Sequence, residues 1–71
     1  MKYVRVSSSN IESVGYEEDS QTLGVCFKGG GEYHYLEVPR RVYDDLLSAS
    51  SVGRFFDSHI KKAGYPYKKI R

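Results

Sequence analysis

The chain has 71 residues, a mass of 8.1 kDa and a formal net charge of +2. This length predicts one domain, which buries only about 60% of the surface that its unfolded chain exposes and leaves no room for a deep catalytic cleft. The single cysteine, Cys26, excludes an intramolecular disulfide, and no apolar run reaches the roughly 18 residues that a transmembrane helix needs. We therefore expect a cytoplasmic protein with no membrane partner.

Four segments in the first half of the chain alternate apolar and polar residues, as strands do. They are residues 3–6, 11–16, 23–28 and 32–38. Serines and Asn10 separate the first two segments, a polar run separates the next two, and three glycines separate the last two. Such short connections predict an antiparallel meander.

The register of the last hairpin decides where Tyr33 and Tyr35 point. If the three glycines form a three-residue loop, Phe27 lies opposite Tyr33 and Val25 opposite Tyr35, and both tyrosines face the core. A two-residue loop would align His34 with the Phe27 face instead and expose the tyrosines, whose rings could then stack on bases. The triple glycine and the apolar neighbours favour the first register. We therefore interpret Tyr33 and Tyr35 as structural.

The periodicity changes from that of a strand to that of a helix at Pro39. Proline suits the first turn of a helix, and an apolar stripe continues to residue 49. Ser50 or Ser51 can cap a second helix over residues 52–63, which Gly64 ends.

The predicted fold class is α+β in the order β-β-β-β-α-α, a four-stranded antiparallel meander followed by two helices packed on one face of the sheet. We predict that residues 1–64 form the single domain and that residues 65–71 form a basic C-terminal tail.

Charge is separated along the chain. Residues 1–53 carry five Lys and Arg against eight Asp and Glu, a net charge of −3, whereas residues 54–71 carry six against one, a net charge of +5. A basic end with interleaved tyrosines is typical of nucleic-acid binding. The candidate nucleic-acid-binding residues are Arg40, Arg41, Lys61, Lys62, Tyr65, Tyr67, Lys68, Lys69 and Arg71.

Two of these pairs also have a structural interpretation. Arg40 and Arg41 lie in the first turn of a helix, where the dipole disfavours positive charge, so either a phosphate or the acidic residues one turn on could compensate them. Lys61 and Lys62 end a helix, where cations are favourable. The basic residues after Gly64 have no such explanation.

No histidine or cysteine has metal-ligand spacing, so we predict no metal and no cofactor. A pair of Cys26 and His34 across the hairpin is geometrically conceivable, but it lacks an orienting group and an oxyanion site. We therefore predict that the protein is not an enzyme.

The ordered series of motifs resembles the KTSC domain family. The resemblance rests on residues 8–16, residues 23–27, Tyr33 and Tyr35, residues 38–49 and residues 51–56 with Ile60. Domains of this family occur alone in small bacterial and phage proteins and at the C-terminus of some lysyl-tRNA synthetases. The resemblance implies RNA binding only through that association, because the function of the family is unsettled.

Our first hypothesis is a small non-enzymatic module that binds RNA or another polyanion weakly through its basic C-terminal end. The alternative is a protein-interaction or oligomerisation module, such as a phage- or bacterium-encoded accessory protein that binds a host protein. A third hypothesis is a small-molecule site near Cys26 and His34. The sequence leaves the oligomeric state open.

Overall fold

The structure is a computed structural model that describes all 71 residues. Five strands and two helices form an α+β fold. The strands are β1 Tyr3–Arg5, β2 Ile11–Glu17, β3 Thr22–Phe27, β4 Glu32–Tyr35 and β5 Tyr67–Lys69, and the helices are α1 Arg40–Ser48 and α2 Val52–His59. Neither helix is long and apolar enough to cross a membrane.

The five strands form one antiparallel sheet in the order β1-β2-β3-β4-β5. The prediction of four strands is wrong by one, because the segment expected to be a tail supplies β5. Tyr67 pairs with Tyr35 and Lys69 with Tyr33, and the amide of Ile70 donates to the carbonyl of Glu32 at 2.7 Å. The C-terminal end is therefore the edge of the sheet beside β4.

The β3–β4 hairpin has a three-residue loop, but Lys28, Gly29 and Gly30 form it. The Phe27 amide already bonds to the carbonyl of Gly31 at 3.1 Å, so that glycine belongs to the ladder. Tyr33 consequently lies opposite Val25 and Tyr35 opposite Leu23. The predicted face is correct, but each predicted pair is shifted by two residues.

Both helices pack on the face of the sheet that carries Val14, Leu23 and Val25. Tyr43 and Leu46 are the buried residues of α1, and α2 buries one side from Val52 through Phe56. Ser51 caps α2, because its hydroxyl oxygen accepts from the Arg54 amide at 3.3 Å.

The second helix ends earlier than the predicted residue 63. Ile60 leaves helical geometry at φ −121°, and a short 3₁₀ turn, Lys61–Ala63, follows. Gly64 then ends the helical segment at φ 89°, a left-handed conformation that glycine adopts without steric penalty. The chain reverses there and runs back along β4.

The opposite face of the sheet, here called the outer face, has no helix over it. Gly15 and Gly24 lie side by side on β2 and β3, and the side chains of Met1 and Tyr3 lie across them. A Cβ atom on Gly24 would collide with the Tyr3 hydroxyl and would lie 2.6 Å from the Met1 sulfur. The N-terminal strand therefore covers the centre of this face because glycines leave space for it.

Candidate nucleic-acid interface

Five aromatic rings line a depression of about 530 Å³ between the end of the β3–β4 hairpin, α2 and β5. We call it the aromatic hollow, and its rings belong to Phe27, Tyr33, Tyr35, Phe56 and Tyr67. The rings contact one another mostly edge to face or tilted, with centroids 5.4 to 6.2 Å apart. This spacing is typical of aromatic clusters that support one another.

The rings of the aromatic hollow range from buried to exposed: Tyr35 and Phe56 are buried, Phe27 and Tyr33 are half-buried, and Tyr67 is exposed. Tyr35 is only 6% exposed, and burial, followed by the neighbouring tyrosines, raises the pKa of its hydroxyl. Tyr67 is 64% exposed, although it is an aromatic residue in a strand. An exposed ring supported from behind by two further tyrosines, Tyr33 and Tyr35, presents a surface on which a planar group can stack.

Three lysines near this hollow carry uncompensated charge. Lys61 lines the hollow. Lys69 lies opposite Tyr33, on the same face of the sheet as the hollow, whereas Lys68 lies opposite His34 and points to the outer face. None of the three forms an ion pair. Their charges are therefore available to an anionic partner.

Other sequence-predicted residues at this end already have partners. Lys62 Nζ lies 3.3 Å from Asp57 Oδ2, and Arg71 Nε lies 2.9 Å from Glu32 Oε1. Tyr65 is half-buried and packs against the core. Some of the candidate C-terminal residues therefore have no ion-pair partner, whereas others are already paired or packed within the fold.

Arg40 is held within a separate group of residues, which we call the Arg40 cluster. Its Nε donates to Asp44 Oδ1 at 3.0 Å, and its Nη1 donates to Glu18 Oε1 at 3.3 Å. The guanidinium lies 5.8 Å from the ring centroids of both Tyr16 and Tyr43, which stack at 5.2 Å. The hydrogen bond to Asp44 is the main reason that the pKa of Arg40 is raised.

The structure therefore places Arg40 apart from the C-terminal lysines. Of the two compensations considered for it, the acidic residue one turn along the helix is the one observed. Arg41, its neighbour, is exposed and forms no ion pair.

A polar network on the outer face was missed by the sequence analysis. The Tyr3 hydroxyl donates to Glu32 Oε2 at 2.5 Å, and His34 Nε2 lies 3.6 Å from the same oxygen. The hydrogen bond from Tyr3, followed by the Arg71 charge, holds the pKa of Glu32 below its usual value, and burial raises the pKa of Tyr3. The signal that could have revealed this network is the pair of strand glycines, Gly15 and Gly24, which indicates a close approach.

Cys26 and His34 lie on the same face of the hairpin but have different cross-strand partners. Cys26 is opposite Glu32, and His34 is opposite Gly24. A depression of about 430 Å³ beside Cys26 is lined by Glu32 and Arg71, and His34 does not line it. The nearest groups to the His34 ring are therefore those of Tyr3 and Glu32.

Comparison with known proteins decides the family. The model of the KTSC domain matches residues 7–65 of this chain. The chain belongs to the KTSC domain family. A crystal structure of a KTSC domain protein from Yersinia pestis superposes with a TM-score of 0.92 at 43% identity, and the match covers 99% of this chain and 97% of that one.

Relatives of this KTSC domain occur both alone and within a larger protein. An uncharacterised protein of Stutzerimonas stutzeri is 41% identical over 70 residues, 99% of each chain, and a protein of Tsukamurella paurometabola is 50% identical over 56 residues, 79% of this chain and 84% of that one. A lysine–tRNA ligase of Nostoc punctiforme is 38% identical over 58 residues, which are 82% of this chain but 10% of the ligase.

Proposed function

We propose that this KTSC domain is a non-enzymatic binding module that binds single-stranded RNA weakly, through β5 and the aromatic hollow. The observation that carries the proposal is the exposed Tyr67 ring with two unpaired lysines on its side of the sheet, Lys61 and Lys69. A third unpaired lysine, Lys68, lies on the outer face of β5. Stacking on an aromatic ring tolerates any base, and lysines bind phosphates without reading sequence. Binding is therefore expected to depend on salt and only slightly on sequence.

The separation of charge supports this location. The +5 net charge of residues 54–71 includes the cations of β5, and the Arg40 cluster lies outside that segment with its charge compensated. The similarity to part of a lysine–tRNA ligase also supports the proposal, because that relative is named as an enzyme that acts on tRNA.

The test is fluorescence anisotropy with a labelled single-stranded RNA at low and at physiological salt. We expect a dissociation constant on the order of 10⁻⁴–10⁻⁶ M at physiological salt, as for sequence-independent binding, and tighter binding at low salt. Absence of binding at low salt, or an affinity independent of salt, would contradict the proposal.

The second candidate is a protein-interaction or oligomerisation module. It is favoured by the free edges of β1 and β5, which expose strand backbone, and by the exposed apolar residues Val4 and Ile70 beside them. Sedimentation velocity tests self-association, for which a concentration-dependent shift is expected. A monomer at all concentrations would contradict oligomerisation, and the short length and lysines of β5 already oppose edge pairing.

A further inference from the structure

A second depression, which we call the serine hollow, adjoins the aromatic hollow. Its volume is about 540 Å³, and no apolar residue lines it. The two hollows share the residues Asn10, Gly53 and Asp57. One side of this shared wall is thus aromatic, and the other side is hydroxyl-rich and includes Arg54.

Several polar groups of the serine hollow have no partner within the chain. The Ser8 hydroxyl donates to Asn10 Oδ1 at 3.0 Å, and Ser51 caps α2. By contrast, the hydroxyls of Ser7, Ser9 and Ser58 form no intramolecular hydrogen bond, and Arg54 forms no ion pair. A guanidinium with free hydroxyls around it is a combination that suits a phosphate group.

The shared wall carries a carboxylate, that of Asp57. A Cβ atom on Gly53 would lie 3.0 Å from Asn10 Oδ1, so a larger residue would push into the boundary between the hollows. Asp57 uses Oδ2 for Lys62 at 3.3 Å and leaves Oδ1 without a partner. This carboxylate repels a phosphate placed beside it but accepts hydrogen bonds from sugar hydroxyls.

We propose that the two hollows together hold one ribonucleotide unit of the bound RNA. The base stacks on Tyr67 in the aromatic hollow, the ribose 2′-hydroxyl donates to Asp57 at the shared wall, and the phosphate lies in the serine hollow at Arg54. Lys61 on the rim then faces the neighbouring phosphate of the strand. This order of aromatic, acceptor and cationic groups matches the order of base, ribose and phosphate. The inference rests on the proposed function and adds the unit that is recognised.

The test uses adenosine 5′-monophosphate and amide NMR, with 2′-deoxyadenosine 5′-monophosphate, adenosine and inorganic phosphate as fragments of the ligand. The ribonucleotide is expected to bind about fivefold more tightly than the deoxyribonucleotide, because one hydrogen bond to Asp57 is lost with the 2′-hydroxyl. Adenosine should shift the amides around Tyr67 and Asp57, and phosphate those around Arg54.

Three variants separate the parts of the site. Arg54→Ala is expected to weaken ribonucleotide binding about tenfold and to leave adenosine binding unchanged. Asp57→Asn should reduce the preference for ribose, because an uncharged acceptor replaces the carboxylate, and Tyr67→Leu should weaken adenosine at least fivefold. Arg5→Ala, which removes an exposed charge on β1, is the matched control and should change nothing.

Equal affinity for the ribo- and deoxyribonucleotide, or an Arg54→Ala variant that binds both as the original chain does, would overturn the inference. The same variants are then tested with single-stranded RNA. RNA binding that is insensitive to Arg54→Ala and Asp57→Asn overturns the nucleotide site and leaves the proposed function intact. Specific nucleotide binding without RNA binding overturns the proposed function and supports the site.

Discussion

Tyrosines lie beside cationic side chains at two places in this KTSC domain. The cation is paired with carboxylates at one place and is unpaired at the other. In the Arg40 cluster the guanidinium lies over two stacked rings and bonds to two carboxylates. At the aromatic hollow, Lys61 and Lys69 have no acidic partner and Tyr67 is mostly exposed. The same residue types therefore stabilise the fold in one place and remain available to a partner in the other.

The tyrosine rings of the two places differ in how they are held in the fold. Tyr16 is fixed by its hydroxyl, which donates to the Val38 carbonyl at 2.5 Å, and Tyr43 is only 7% exposed. Tyr67 lies on an edge strand with solvent on its outer side. Position in the fold, rather than residue type, separates a structural aromatic–cation contact from a candidate binding surface.

The largest expected difference between the two places is in stability. Tyr43→Ala removes a buried ring and should lower the free energy of unfolding by about 3 kcal/mol, most of the roughly 3–5 kcal/mol expected for a domain of this size. Tyr67→Ala removes an exposed ring and should lower it by less than about 1 kcal/mol. Guanidinium unfolding of both variants measures this, and equal losses would remove the distinction.

The next largest effect concerns RNA affinity. The double substitution Lys61→Ala with Lys69→Ala should weaken binding to single-stranded RNA about tenfold at low salt, because two phosphate contacts are lost. It should also reduce the slope of log affinity against log salt by about 1.4. Arg40→Ala is the control in the other cluster. It removes one charge where the double variant removes two, so a loss of affinity of about threefold or more in that variant would contradict the distinction.

A smaller effect concerns the acid stability of the C-terminal edge. The pKa of Glu32 is lowered in the folded state, mainly by the Tyr3 hydrogen bond. The ionised carboxylate therefore stabilises the fold at pH values above the unfolded pKa, and this stabilisation is lost as the pH falls through the folded pKa. In Glu32→Gln the thermal unfolding midpoint should therefore fall less steeply as the pH is lowered below about 4.5. Thermal melts at pH 3 to 7 measure it, and an unchanged decline would show that Glu32 is not its source.

The smallest effect is expected from Arg40 on stability. Its two ion pairs are exposed, with half or more of each side chain accessible, so Arg40→Ala should lower the free energy of unfolding only slightly. Lys61→Ala has no partner to lose and should leave the unfolding midpoint unchanged. A larger effect for Lys61 would mean that its charge serves the fold.

The sequence predicted the elements whose signals are local. Ser50 or Ser51 as the cap of α2 and Pro39 at the start of α1 each act through a few neighbouring residues. Gly64 was expected to end α2 but ends the 3₁₀ turn that follows it. The sequence also predicted that Tyr33 and Tyr35 share a sheet face with Val25, because any three-residue loop at this position puts these side chains on the same face. The exact pairs were not predicted, because the loop begins at Lys28, one residue before the glycine run, and Gly31 belongs to the ladder.

The elements that the sequence did not predict depend on distant partners. β5 has no alternating apolar pattern, and it is a strand because it pairs with β4. Tyr3 and Glu32 are 29 residues apart, and Arg40 and Glu18 are 22 apart, so neither contact has a local signal. The candidate site changed for the same reason, because only the tertiary structure shows which of the basic residues are already paired.

Amide NMR during titration with single-stranded RNA at low salt tests the central claim most directly, because both clusters are observed in one experiment. We predict progressive shifts at residues 61 and 67–69 and around the aromatic hollow, reversed by added salt, with no change at residues 16, 40 and 43. Shifts that concentrate in the Arg40 cluster, or an absence of shifts in β5, would contradict the account.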